Sequence, residues 1–204
     1  MGLRASYTLF SPIYDALVGP ATAPMRRASL ARLAGEPPGR VLFSGIGTGL
    51  DIPALPPQHE YVGLDLTPAM LQRARRRAAR AGRRLALQVG DVHALPYADA
   101  CFDAVVMHLI LAVAGAPERT LAEAARVLRP GRRMLVVDKF LRPGQRAPLR
   151  RWVSPWLARV ATRTDVVLED ALRCCPELTI ETDRALAGRG WFREVVVVKA
   201  EAAR

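Results

Sequence analysis

RVLFSGIGTGLD, residues 40–51, runs from a short apolar segment into a loop with glycine at positions 45, 47 and 49. The run Arg40–Ser44 reads as a β-strand. The glycines behind it let the backbone turn tightly and approach a ligand at the strand end, where open α/β sheets bind nucleotides. The dinucleotide fingerprint G-x-G-x-x-G is not met, because position 50 is Leu. Outward from this loop, Asp65 closes a second run, Glu60–Asp65, from which a carboxylate can accept both hydroxyls of an adenosine ribose. Asp91, in VGDVHALP, closes a third and can accept from an adenine amino group. One such acid is ordinarily a turn former. A glycine loop, an acid and an acid at three successive strand ends are a nucleotide-binding pattern.

The rest of the chain repeats the rhythm of that first segment. Strands are expected at Arg40–Ser44, Glu60–Asp65, Leu85–Val89, Phe102–His108, Arg133–Asp138, Leu178–Thr182 and Phe192–Lys199. Helices are expected at Ala23–Leu33, Pro68–Ala81, Pro117–Leu128 and Asp165–Cys174. Pro68 and Pro117 sit where a first helical turn accepts proline, and Gly82 and Gly131 fall just beyond helix ends. Strand–helix alternation with near-continuous apolar strands implies a parallel doubly wound α/β sheet. Only ETDRALAGRG separates the last two runs, so they are expected to pair as an antiparallel hairpin at one edge.

Length and composition set bounds on this reading. The chain has 204 residues, half of them hydrophobic and 24% charged, which suits one domain of about 1–204. No apolar run reaches the ~18–20 residues of a membrane span, and the start lacks a secretory signal, so a cytoplasmic protein is expected. An M-G-x-x-x-S pattern at Gly2 and Ser6 reads as chance. Cys101, Cys174 and Cys175 show no ligand spacing, so no metal site is expected and all three read as structural thiols. The net charge of +11 is local: residues 68–84 hold seven Arg and no acid, and residues 142–163 hold six and no acid. The remainder is near neutral, with 17 bases against 19 acids. The first segment reads as a solvated helix face, the second as a contact for something anionic.

VLFSGIGTGLD, YVGLDLTPAMLQRAR, VGDVHALPYADACFDAVVM and AEAARVLRPGRRMLVVDKF together resemble, in order and spacing, the motifs of class I S-adenosylmethionine-dependent methyltransferases. The resemblance runs from about Tyr7 to Lys199. It implies a Rossmann-like sheet of seven strands in order 3-2-1-4-5-7-6, the last antiparallel. It implies that Gly45, Ile46 and Gly47 pass under the methionine part of the cofactor and that Asp65 takes the ribose hydroxyls. Leu66 and Met70 would lie against the adenine, Asp91 and Val92 at its edge, and His108 near the methyl-transfer zone. One departure stands out: Phe43 occupies the place, two residues before the first glycine, where the family usually has an acid. Asp51 is a candidate to compensate.

In methyl transfer the sulfonium is already activated, so the protein mainly aligns the partners and excludes water. A base matters only where the nucleophile arrives protonated. Candidates are His108, Asp138 and Tyr7, with Tyr14 placed beside the cofactor. The plain alternative for each is packing. The N-terminal stretch, about 1–35, resembles the cap segment of bacterial phospholipid N-methyltransferases and quinone C-methyltransferases. An insert at about 142–164 places Trp152 and Trp156 on an apolar stripe beside Arg150, Arg151, Arg159 and Arg163. Such a segment suits the surface of an anionic membrane, peripherally on its inner face, or else a lid over the pocket. The acceptor is therefore expected to be a small molecule or lipid, with a phosphatidylethanolamine-type amine ahead of a quinone precursor. Nucleic acid is the weaker partner, since no base-methylase motif or RNA-binding module occurs. A nicotinamide oxidoreductase fits the glycines poorly, and a non-catalytic cofactor-binding protein would draw on Phe43 alone.

Overall fold

The computed structural model describes residues 19–145, 165–186 and 191–201. The helix α1 (residues 19–30) runs into a tight 3-10 turn, Ala31–Gly35, and then into β1 (Arg40–Ser44). There follow β2 (Glu60–Asp65), α2 (Pro68–Arg80), β3 (Ala86–Val89) and β4 (Phe102–His108). The chain continues through α3 (Pro117–Val127), β5 (Leu128–Lys139), α4 (Leu168–Leu172), β6 (Leu178–Ala185) and β7 (Phe192–Lys199).

One seven-stranded sheet results, in the order β3-β2-β1-β4-β5-β7-β6. The first five strands pair in parallel, and β7 runs antiparallel to both β5 and β6. This is the order the family resemblance implied, edge hairpin included. Side chains alternate across the sheet, so each central strand feeds two cores. Leu42, Val105, Met107, Met134 and Val136 pack with α3 and α4 on one face. Val41, Phe43, Val106 and Leu135 pack with α1, α2 and the turn Ile52–Ala54 on the other. Burying each such side chain contributes roughly 1.5–3 kcal/mol, which is why the strands read as apolar runs rather than alternating ones.

Several elements depart from expectation. β5 begins at Leu128 instead of Arg133, because Leu128 already pairs with Phe102 before the register shifts; α3 accordingly stops at Val127. The helix expected at Asp165–Cys174 shrinks to Leu168–Leu172, since Val166 and Val167 run alongside Leu141 and are held extended. β6 continues to Ala185, paired with β7 along its length although most of its residues are exposed. The first helix starts earlier than Ala23 and yields to the 3-10 turn at Ala31. Tyr7, Tyr14 and most of the 142–164 insert, with Trp152 and Trp156, lie outside the described residues.

Candidate active site

β1 ends at the buried Ser44, and the loop behind it is pinned to β2. The N–H groups of Gly45 and Ile46 both donate to the Leu64 carbonyl, at 2.9 and 3.0 Å. Gly45 has φ +82°, and a Cβ there would lie 2.6 Å from the Ile110 side chain, so only glycine fits beneath that residue. Gly47 is different. Its φ of +56° also favours glycine, but a Cβ built on it meets nothing within 4 Å. The backbone at Gly47 is bare and faces open space, as a loop does where a ligand crosses it.

Asp65 closes β2 beside this opening. Its Oδ2 accepts the Gly47 N–H at 2.9 Å and its Oδ1 the Thr67 N–H at 2.9 Å. Burial pushes its carboxyl above the ordinary value, and the two N–H bonds offset only part of that. A carboxylate offers about four acceptor positions. Two are used, leaving one on each oxygen for the paired hydroxyls of a ribose. Met70, near the start of α2, is buried, whereas Leu66, next to Asp65 in the chain, keeps 39% of its surface exposed.

Asp91 follows β3 and is half exposed. Its Oδ1 accepts the His93 N–H at 2.9 Å and lies 2.9 Å from His93 Nδ1. The His93 N–H bond, working against slight burial, holds the Asp91 carboxyl below its ordinary range. Val92 turns inward to the core. Gly47, Asp65, Leu66 and Asp91 thus converge on the carboxyl edge of the sheet, the usual ligand position in a doubly wound fold. A nucleoside-bearing cofactor fits this donor and acceptor set.

His108 ends β4 on the face that carries α1, inside a buried polar cluster. Its Nε2 lies 3.1 Å from Ser29 Oγ and its Nδ1 3.2 Å from Asp51 Oδ1. The same Asp51 oxygen lies 3.1 Å from Arg26 Nε, and Arg26 Nη1 donates to Thr22 Oγ1 at 2.6 Å. Burial would raise the Asp51 carboxyl, but His108 and Arg26 together outweigh it and hold it low. The cluster ties α1 to the end of the glycine loop and to the end of β4. Phe43 stands in the core instead, its ring 6.1 Å from that of Tyr61. The buried acid of this region is therefore Asp51, reached from the loop rather than from β1.

Asp138, fully buried at the end of β5, accepts the Ala112 N–H at 2.9 Å and the Lys139 N–H at 2.8 Å. Burial raises its carboxyl, with the backbone donors opposing. These bonds shape the turn after β4, where Leu109 adopts φ +58° and Ile110 comes to rest over Gly45. Its surroundings make Asp138 a holder of the site's wall. Arg26, Ser29, His93 and Ile110 were not foreseen from the sequence; Arg26 is one of 28 arginines and carries no local signal. Among the described residues no group of His, Cys, Asp and Glu could hold a metal ion. The three cysteines are free thiols.

Residues 42–136 match the family model described as "Methyltransferase domain". The chain is 30% identical over 183 residues to a phosphatidylethanolamine N-methyltransferase of Cereibacter sphaeroides, covering 88% of this chain and 89% of that one. It is 37% identical over 116 residues to a demethylmenaquinone methyltransferase of Deinococcus radiodurans, covering 55% of this chain and 48% of the relative. Among solved structures, the cyclase SpnF superposes with a TM-score of 0.79 at 17% identity over 98% of this chain and 96% of its own. A geranyl diphosphate methyltransferase in complex with SAM superposes with a TM-score of 0.67 at 18% identity, over 89% and 85%. At these identities the two structures establish the fold alone.

Proposed function

Because the chain belongs to the class I S-adenosylmethionine-dependent methyltransferases, the open question is its acceptor, and we propose the amine of a phosphatidylethanolamine-type phospholipid, methylated at a membrane surface. The observation that carries this reading is the extent of the likeness. Identity to the phosphatidylethanolamine enzyme runs over 88% of the chain, so it includes segments on both sides of the cofactor half. Identity to the demethylmenaquinone enzyme covers 55%. That second acceptor class, a quinone precursor or other small hydrophobic metabolite, stays behind the first for this reason.

The cofactor, when bound, would supply an activated methyl on sulfur for transfer to the amine nitrogen. The chain's own part is to bind, orient and exclude water. The bare backbone at Gly47, reached through Gly45 and Ile46, supports close passage of the methionine portion. Asp65 is assigned the ribose hydroxyls, with Leu66 and Met70 beside the adenine and Asp91 and Val92 at its edge. His108, held at Nε2 by Ser29 Oγ with Nδ1 3.2 Å from Asp51 Oδ1, is assigned to the wall nearest the transfer zone. Asp138 supports that wall through residues 111–112, and Tyr7 and Tyr14, outside the described residues, are assigned to the acceptor and cofactor side on the sequence alone. An ethanolamine nitrogen attacks only as the free amine, so a proton must leave before each transfer. No described helix is long and apolar enough to cross a membrane; the reading therefore calls for contact with the bilayer surface.

The test is radiolabelled methyl transfer from S-adenosylmethionine into liposomes of phosphatidylethanolamine and phosphatidylglycerol, with a demethylated quinone assayed in parallel. Label in the phospholipid is expected. Label in the quinone alone would transfer the assignment to the second class, and label in neither with cofactor binding intact would remove both.

A further inference from the structure

The arginines of this protein fall into two populations. Across most of the fold they are matched to acids: Arg26 to Asp51, Arg126 to Glu123, Arg129 to Asp103, Arg133 to Glu36 and Glu181, and the fully buried Arg193 to Glu169 and Asp183. Residues 66–90 break the pattern, with seven arginines, no acid, no histidine and no aromatic residue. On α2, Arg73 lies three and four residues from Arg76 and Arg77, which in turn lie four and three from Arg80, so the four form one stripe about 10 Å long. They line a shallow open groove of their own. The opposite face of α2, with Met70, Leu71, Ala74 and Ala78, is buried.

Ordinary causes cover only part of this. Arg77 has a structural task, donating to the carbonyl and the hydroxyl of Thr48 in the glycine loop. Arg77 and Arg80 also suit the negative end of the helix dipole. Arg73 and Arg76 gain nothing from the dipole, and Arg73, Arg76 and Arg80 form no ion pair among the described residues. Like charges at i+3 and i+4 oppose helix formation in water. A counter-surface of negative charge would relieve that repulsion along the whole stripe.

We propose that the arginine stripe of α2 is an electrostatic docking face for an anionic lipid bilayer, holding the rim of the active site at the membrane. The proposal rests on the phospholipid reading above, which places the substrate in such a surface. A nucleic acid presents the same phosphates, but the segment has no aromatic side chain on which bases could stack. The stripe is also continuous with the site: α2 starts three residues after Asp65, and Arg77 grips the loop that carries Gly47.

The test uses the full chain, without cofactor, and vesicles of phosphatidylglycerol and phosphatidylcholine that contain no ethanolamine lipid, so its outcome is independent of methyl transfer. The triple variant Arg73→Gln/Arg76→Gln/Arg80→Gln leaves Arg77 in place. A control, Arg132→Gln/Arg173→Gln/Arg184→Gln, removes the same charge from paired positions. The wild type and the control are expected to co-sediment with the anionic vesicles and to be released by salt. The stripe variant, with an unchanged melting temperature, is expected to lose about a hundred-fold in partitioning, from roughly fivefold per arginine. Equal binding by the stripe variant and the wild type would overturn the proposal, as would an equal loss in the control. So would failure of the wild type to bind vesicles while single-stranded RNA binding depends on the stripe.

Discussion

Replacing Asp51 by Asn tests the buried cluster that joins α1 to the glycine loop. The two side chains of the Arg26–Asp51 pair are only 6% and 8% exposed. Removing one partner of a buried pair leaves the other charge uncompensated and costs about 3–5 kcal/mol. Arg26 would keep its bond to Thr22 Oγ1 and a longer one to the Gly19 carbonyl, so the lower end, about 3 kcal/mol, is expected. For a chain of this length that corresponds to a melting temperature lower by roughly 6–12 °C. Urea unfolding followed by circular dichroism at pH 7 measures the difference. Adding Arg26→Met should restore most of the loss, because an apolar replacement no longer buries an unpaired charge. The pH dependence has a definite sign. The Asp51 carboxyl is held below its ordinary value in the folded protein, so its contribution is complete above that value and fades as pH falls through the lower folded one. The gap between wild type and Asp51→Asn should therefore persist from pH 7 to about pH 5 and close below about pH 4. A variant as stable as the wild type at pH 7, or a gap undiminished well below pH 4, would refute the reasoning.

Other outcomes follow from the same geometry. Gly47→Ala and Gly82→Ala both force alanine to positive φ, at +56° and +61°, with no Cβ clash. Each should lose about 1 kcal/mol of stability, but only Gly47→Ala should weaken S-adenosylmethionine binding in calorimetry; equal affinities would mean that the ligand does not cross Gly47. Asp138→Asn turns an amide group toward a backbone donor in the buried wall, at a cost of about 2–3 kcal/mol. Hydrogen exchange at the amides of residues 111–112 should quicken, and unchanged exchange there would separate Asp138 from that turn. His108→Ala is expected to lower turnover while leaving cofactor affinity near the wild-type value; unchanged turnover would remove His108 from the transfer zone.

Much of this architecture is local and so can be read from the chain. Arg40–Ser44, Glu60–Asp65, Phe102–His108 and Phe192–Lys199 have the same bounds in sequence and structure, since a strand buried on both faces must be continuously apolar. Where that pressure is absent the reading slips. β6 is mostly exposed, so its last residues are kept in the sheet by pairing with β7 and carry no apolar signature. Helix α4 is cut short by the chain's pairing with Leu141, a tertiary event. The same division holds in the site. The glycine loop, Asp65 and Asp91 sit at strand ends in recognisable order. The Arg26–Asp51–His108 cluster joins residues 25 and 57 positions apart along the chain. Phe43 shows that an acid is missing from β1 and makes Asp51 a candidate to compensate, but not that Asp51 is buried against Arg26 and His108.

Titration of S-adenosylmethionine into the wild type and Asp65→Asn by isothermal calorimetry tests the placement of the site most directly. One-site binding is predicted for the wild type. The variant, losing charge-assisted bonds to the ribose worth about 1.5–3 kcal/mol, should bind roughly ten- to a hundred-fold more weakly while staying folded, at a stability cost of about 1–3 kcal/mol because its amide faces the Gly47 or Thr67 N–H. Equal affinity in the two proteins would contradict the account, because the cofactor would then lie somewhere other than the edge formed by Gly47, Asp65 and Asp91.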